Sequence, residues 1–157
     1  MKFRKRFYQN PKDLFLDLCY PIRNRKRLKE ASQLIPAAFR ERLMLAVTAV
    51  NGCRYCSYFH TRQALQSGIE SDEISRLLSG DIDGCPVEEA VAVLYAQHWA
   101  EFNAHPDPDT VSRLYQTYGS EKAEAIDVLL HMIHLGNLLG NTWDFFLYIV
   151  SFGRFKG

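Results

Sequence analysis

Cysteine is scarce in this chain, with four in 157 residues at positions 19, 53, 56 and 85. That is too few for the framework of a small disulfide-stapled domain. An export leader is also missing from the reading: the N-terminus is basic, but Pro11, Lys12, Asp13 and Asp17 interrupt the stretch that would have to be apolar. A cytoplasmic, reducing compartment is therefore expected, where a close cysteine pair is more often catalytic or metal-binding than structural. Long apolar runs are absent too. The most apolar segment, FFLYIV at 145–150, falls far short of the roughly 20 residues that a bilayer core requires, so no membrane span is expected. Neither zinc-finger spacing nor an RNP-like aromatic motif is found, and nucleic acid is not expected as a partner. Internal repeats, low-complexity tracts and β-branched alternation are likewise missing, which argues against solenoids and sheets.

What is present is the composition of a folded domain, 47% hydrophobic and 24% charged. At this length one domain covering 1–157 is the simplest organisation. Apolar residues recur at helical spacing nearly throughout, and the fold class expected is all-α. Residues 1–35 read as a basic N-terminal extension with short helices, and 36–150 as the core. Ten Lys or Arg against Asp13 and Asp17 in the first 29 residues give the extension its charge. Such an arm suits a solvated face, an anionic surface or the acidic side of a sister subunit.

Pro36 suits the first turn of a helix that Asn51 and Gly52 interrupt. A further helix starts near Cys53 and ends at Gly68, another starts at Ser71, and Pro86 opens a longer one. Asp107 with Pro108 begins a helix closed by Gly119. Ser120 leads the next, and Asn141 or Thr142 leads the aromatic segment TWDFFLYIVSF. Two segments, LMLAVTAV and TWDFFLYIV, lack a polar face. The first is expected at the centre of the domain; the second is expected at a subunit interface, with a simple core helix as the alternative.

The chemistry concentrates in NGCRYCSYFH, residues 51–60. On a helix beginning near Cys53, the side chains of Cys53, Cys56 and His60 share one face. The helix N-terminus favours a thiolate, the reactive form of cysteine. Glu41 lies roughly 15 Å before the Asn51-Gly52 corner and His60 roughly 12 Å after it, at 1.5 Å per residue. If the helices fold back on each other, the carboxylate can orient the imidazole, and the imidazole can deprotonate a thiol directly or through water. Ser57 after Cys56 excludes a CxxCH haem attachment, and no bound cofactor is expected. Zinc stays open, with Cys85, His98, His105, His131 or His134 as a fourth ligand; so does a packing role for the cysteines. His131 and His134 share a helix face but lack the Glu-x-x-His pattern of di-iron bundles, and read as satisfied polar positions. Cys19 and Cys85 read as packing residues.

Glu41, Cys53-Arg54-Tyr55-Cys56 and His60, with AVNGC before them and the NTWD tail after, resemble the signature of the alkylhydroperoxidase D-like branch of the carboxymuconolactone decarboxylase superfamily. The resemblance covers about 36–150. It implies an alkylhydroperoxidase D-like helical bundle that assembles as a homo-oligomer, a trimer or hexamer, with thiol peroxidase or disulfide reductase activity. It further implies Cys56 as the peroxidatic thiol, Cys53 as the resolving thiol, His60 as the base and Glu41 as its orienter. The substrate implied is a hydroperoxide, and the reductant a dithiol or a thioredoxin-like protein. One departure is Tyr55, where peroxidase members carry a second histidine. Lactone decarboxylation is not implied, since the decarboxylase members lack the cysteine pair. A non-catalytic helical protein with structural zinc, or an interaction module using the basic arm, is the alternative.

Overall fold

A computed structural model describes residues 3–155. Lys2, part of the basic arm, and the ends of the 1–157 domain lie outside the described residues. Among the described residues there are seven helices and no strand: α1 (Pro11–Arg23), α2 (Arg25–Leu34), α3 (Ala37–Asn51), α4 (Arg54–Gln66), α5 (Ser71–Ser79), α6 (Val87–Glu101) and α7 (Pro108–Val150). The fold is all-α.

The segment without a polar face becomes the central rod. Leu43, Leu45, Ala46 and Val47 of α3 are fully buried, and α3 packs against α4, α5, α6 and α7. A helix covered on four sides needs few solvating residues, which accounts for LMLAVTAV. Its one buried cation, Arg42, donates to Glu73 of α5 at 2.5 Å and to Glu89 of α6 at 3.0 Å. Burial alone would lower the Arg42 pKa, but the hydrogen bond to Glu73 and the field of Glu89 outweigh it and raise it instead. The three groups therefore bind α3, α5 and α6 as a charged triad within the core.

Local chemistry sets the helix ends. Asn10 Oδ1 accepts from Lys12 N at 2.9 Å with Pro11 in the first turn, and Asp107 Oδ1 accepts from Thr110 N at 2.9 Å. Gly119 breaks α7 with φ 73° and ψ 165°, a backbone available to glycine. The expected helix start at Asn141 or Thr142 is corrected: α7 runs through it to Val150. Thr142 Oγ1 donates back to Leu138 O at 2.6 Å, and Asn141 Nδ2 donates to Arg6 O and Asn51 O. Thr142 Oγ1 also accepts from Tyr8 N, while Asn141 holds its amide nitrogen on distant backbone and leaves its Oδ1 buried without a partner among the described residues, so neither caps a new helix.

The N-terminal extension is part of the body. Ala31 and Ile35 enter the core, and α2 packs on α7. Ahead of α1, Arg6 donates to Ala100 O and Glu101 O at the end of α6, Tyr8 N donates to Thr142 Oγ1 at 3.0 Å, and Phe7 stacks on Phe145 at 3.9 Å. These bonds lace the arm across the ends of α6 and α7. No helix among the described residues is long and apolar enough to cross a membrane.

Candidate active site

α3 stops because Gly52 adopts the left-handed conformation, φ 67° and ψ 29°, while its N–H closes on Thr48 O at 2.8 Å. The chain reverses, and α4 runs back along α3. Glu41 and His60 meet across this corner, with His60 Nδ1 2.7 Å from Glu41 Oε2. A carboxylate accepts the Nδ1 proton, so the neutral ring carries its basic lone pair on Nε2. Glu41 is buried, and among the described residues its other oxygen has only the distant Arg40 Nε, 3.7 Å away.

Cys53 caps α4 in place of a hydroxyl residue: its sulfur accepts from Cys56 N at 3.3 Å. The sulfurs of Cys53 and Cys56 are joined as a disulfide, with Cα atoms 5.3 Å apart. Cys53 is buried and Cys56 half-buried. Cys56 and His60 line one cavity of about 370 Å³, whose other walls include Met44, Phe59, Met132 and Ile133. A carboxylate-oriented imidazole and one sulfur of the disulfide thus line one apolar cavity. Gly140 of α7 lets the pair sit this deep, since a Cβ there would fall 2.7 Å from Cys53 Sγ.

Sequence reasoning missed a second set of residues around Tyr55. Its hydroxyl donates to Asp144 Oδ1 at 3.0 Å and accepts from the Arg54 guanidinium at 2.6 Å. Asp144 is fully buried and also pairs with Lys5 at 3.0 Å and Arg54 at 3.2 Å. Tyr55 therefore anchors the Cys-x-x-Cys turn to α7 and, through Asp144, to the N-terminal arm. An acid amid TWDFFLYIV was the available signal, because a carboxylate in an apolar helix has to find partners.

Behind the corner runs a chain of buried amides. Asn137 Nδ2 donates to Thr48 Oγ1 at 3.2 Å, Asn51 Nδ2 donates to Asn137 Oδ1 at 3.2 Å, and the same Asn51 nitrogen lies 3.3 Å from His134 Nδ1. His134 thus belongs to the support of the corner. The other candidate ligands lie elsewhere. His98 Nε2 pairs with Asp107 Oδ2 at 2.6 Å, and His105 Nδ1 lies 2.7 Å from Asn103 O. Burial pushes the Cys85 thiol up to about 11, so it stays protonated near neutrality. Among the described residues no three His, Cys, Asp or Glu side chains converge on a metal site.

Residues 23–98 match the family model of the carboxymuconolactone decarboxylase family. The matched span is just under half of the chain; it contains Glu41, Cys53, Cys56 and His60 and ends before α7. No curated protein and no solved structure matches the chain. The similarity supports the superfamily as a whole, whose members include decarboxylases and peroxidases, without selecting a branch.

Proposed function

We propose that the protein is a thiol-disulfide oxidoreductase with hydroperoxide reductase activity, of the alkylhydroperoxidase D-like kind. The observation that carries the reading is the Glu41–His60 hydrogen bond, which holds the imidazole in the wall of the cavity that Cys56 also lines. In the reduced enzyme His60 Nε2 withdraws the Cys56 proton, directly or through a water. The Cys56 thiolate attacks the outer oxygen of a hydroperoxide; the O–O bond breaks, an alcohol leaves with a proton, and Cys56 becomes a sulfenic acid. Cys53, three residues away on the same turn, attacks that sulfur and expels water, giving the disulfide present here. Two electrons from a dithiol or a thioredoxin-like protein restore both thiols. Glu41 holds the Nδ1 tautomer and stabilises the imidazolium formed in the first step.

The same reading makes the enzyme a homo-oligomer, trimer or hexamer, working in the cytoplasm. Exposed apolar side chains on the outer face of α7, Trp143, Phe146 and Ile149, support a subunit contact there. The test is consumption of cumene hydroperoxide by the full chain with dithiothreitol as reductant. Cys56→Ser should abolish turnover, and pre-reduced Cys53→Ser, freed of dithiothreitol before hydroperoxide is added, should allow one turnover that leaves a dimedone-reactive sulfenic acid at Cys56. Full activity in Cys56→Ser would overturn the assignment.

A further inference from the structure

A second cavity, about 700 Å³, lies apart from the disulfide, between the N-terminal arm, α1 and α7. Its volume is in the range of cavities that hold small organic ligands. Tyr8 comes from the arm, Asp13, Asp17 and Tyr20 from α1, and His131 and His134 from α7.

Two features give it a polarity. His134 is only 6% exposed, and its Nδ1 is held by Asn51 Nδ2. The order of the amide chain fixes the direction: Asn137 spends its nitrogen on Thr48, so Asn51 presents its nitrogen to Asn137 and His134, and Nδ1 must accept. The neutral ring then carries its proton on Nε2. That nitrogen has no hydrogen-bond partner among the described residues, and it is not among their fully enclosed unpaired atoms, so its N–H opens on the cavity that His134 lines. Burial lowers the His134 pKa to about 4, which keeps the ring a neutral donor at ordinary pH.

The second feature is uncompensated negative charge. Asp13 and Asp17, one turn apart on α1, pair with no Lys or Arg among the described residues. Tyr8 donates to one Asp17 oxygen at 2.6 Å and leaves the other open. Arg6 is the one Lys or Arg in the lining, and its guanidinium is turned to the carbonyls of Ala100 and Glu101. Aromatic walls complete the enclosure, with Tyr20 stacked on His131 at 4.8 Å.

We propose that this cavity binds a small organic cation whose ammonium group sits against Asp17 and Asp13 and whose oxygen accepts a hydrogen bond from His134 Nε2. Carboxylates take the charge, the aromatic walls cover the carbon body, and the buried imidazole fixes the far end. The site is independent of the thiol chemistry.

Calorimetric titration of the full chain with tyramine, and with 4-hydroxyphenylacetate as an anion of matched shape, tests it. Saturable tyramine binding is expected, with the anion at least about tenfold weaker, the order of one ion pair shielded from water. Asp17→Asn keeps an acceptor for Tyr8 and should weaken tyramine about tenfold. The exposed Asp13→Asn should weaken it by a smaller factor, and Cys53→Ser/Cys56→Ser should leave it unchanged. The imidazole NMR signals of His134 should shift on tyramine addition. Equal or tighter binding of the anion, unchanged affinity in folded Asp17→Asn, or no saturable tyramine binding would overturn the proposal.

Discussion

At the scale of single residues, two histidines are put to opposite uses by what touches Nδ1. In His60 the Nδ1–H donates to a carboxylate, so the lone pair stands on Nε2 and the imidazolium, once formed, has a counter-charge. His60→Gln should therefore slow hydroperoxide reduction by about 10²-fold, the usual size of a general-base contribution. Glu41→Gln should cost less, about tenfold, because the ring stays in place while the charge that stabilises its protonated form is gone. Steady-state kcat/KM with cumene hydroperoxide checks both, and equal losses would assign Glu41 a larger role. In His134 an amide occupies Nδ1 and burial suppresses protonation, with Asp17 pulling the other way and His131 and Arg6 adding to the depression. The unfolded chain takes up this proton near pH 6.5 and the folded protein only near about 4. Between those values the unfolded state binds more protons, so stability falls as pH drops through the window and is unaffected above it. The full effect is about 3 kcal/mol. Urea denaturation at pH 4, 5.5 and 7 should show that loss in the native protein and a flatter profile in His134→Gln, whose amide does not titrate.

At the scale of elements, the approach of α4 to α7 decides how the disulfide is held. Gly140→Ala would drive a methyl to 2.7 Å from Cys53 Sγ, against an unyielding sulfur. A loss of about 1–3 kcal/mol is expected from such overpacking. At Gly136, one turn earlier, an added methyl would meet nothing within 4 Å, and Gly136→Ala should be neutral or gain up to about 1 kcal/mol in helix propensity. Thermal unfolding of the oxidised variants separates the two. This contact also marks where the sequence stops being informative. Glu41, the cysteine pair and His60 lie within twenty residues around one glycine corner, so helical rise alone could bring them level. Helix ends at Pro36, Gly68 and Asp107 were legible for a similar reason, because caps and left-handed turns are local chemistry. The Asp144 contact with Lys5 joins residues 139 apart, and the Asn51 contact with His134 joins residues 83 apart; no local pattern encodes such pairings. Asn141 and Thr142 look like cap residues in the sequence for the same reason they fail as caps. Thr142 Oγ1 is claimed by the preceding turn and Asn141 Nδ2 by distant backbone, and α7 continues.

At the scale of the whole molecule, the surface is larger than a free monomer of this size needs. The accessible area is 9188 Å², whereas a compact 18.1 kDa protein averages about 8,100 Å². Part of the exposed surface is apolar, on two of the helices that carry the candidate site. Phe59 of α4 and Trp143, Phe146 and Ile149 of α7 are each at least half exposed, and Trp143 stacks on Phe146 at 5.3 Å. A second copy laid on this face would remove surface of the order that stable contacts bury, about 800 Å² per partner. The cluster that anchors Tyr55 stands on the same two helices, so a subunit contact on this face would share its support with the disulfide. Size-exclusion chromatography with light scattering should therefore give a trimer or hexamer at micromolar concentration. Trp143→Glu/Phe146→Glu should release monomer while far-UV circular dichroism keeps its helical signal, because neither side chain enters the core. An unaltered oligomer in that variant would place the contact on another face, and a monomeric native protein would refute the assembly altogether.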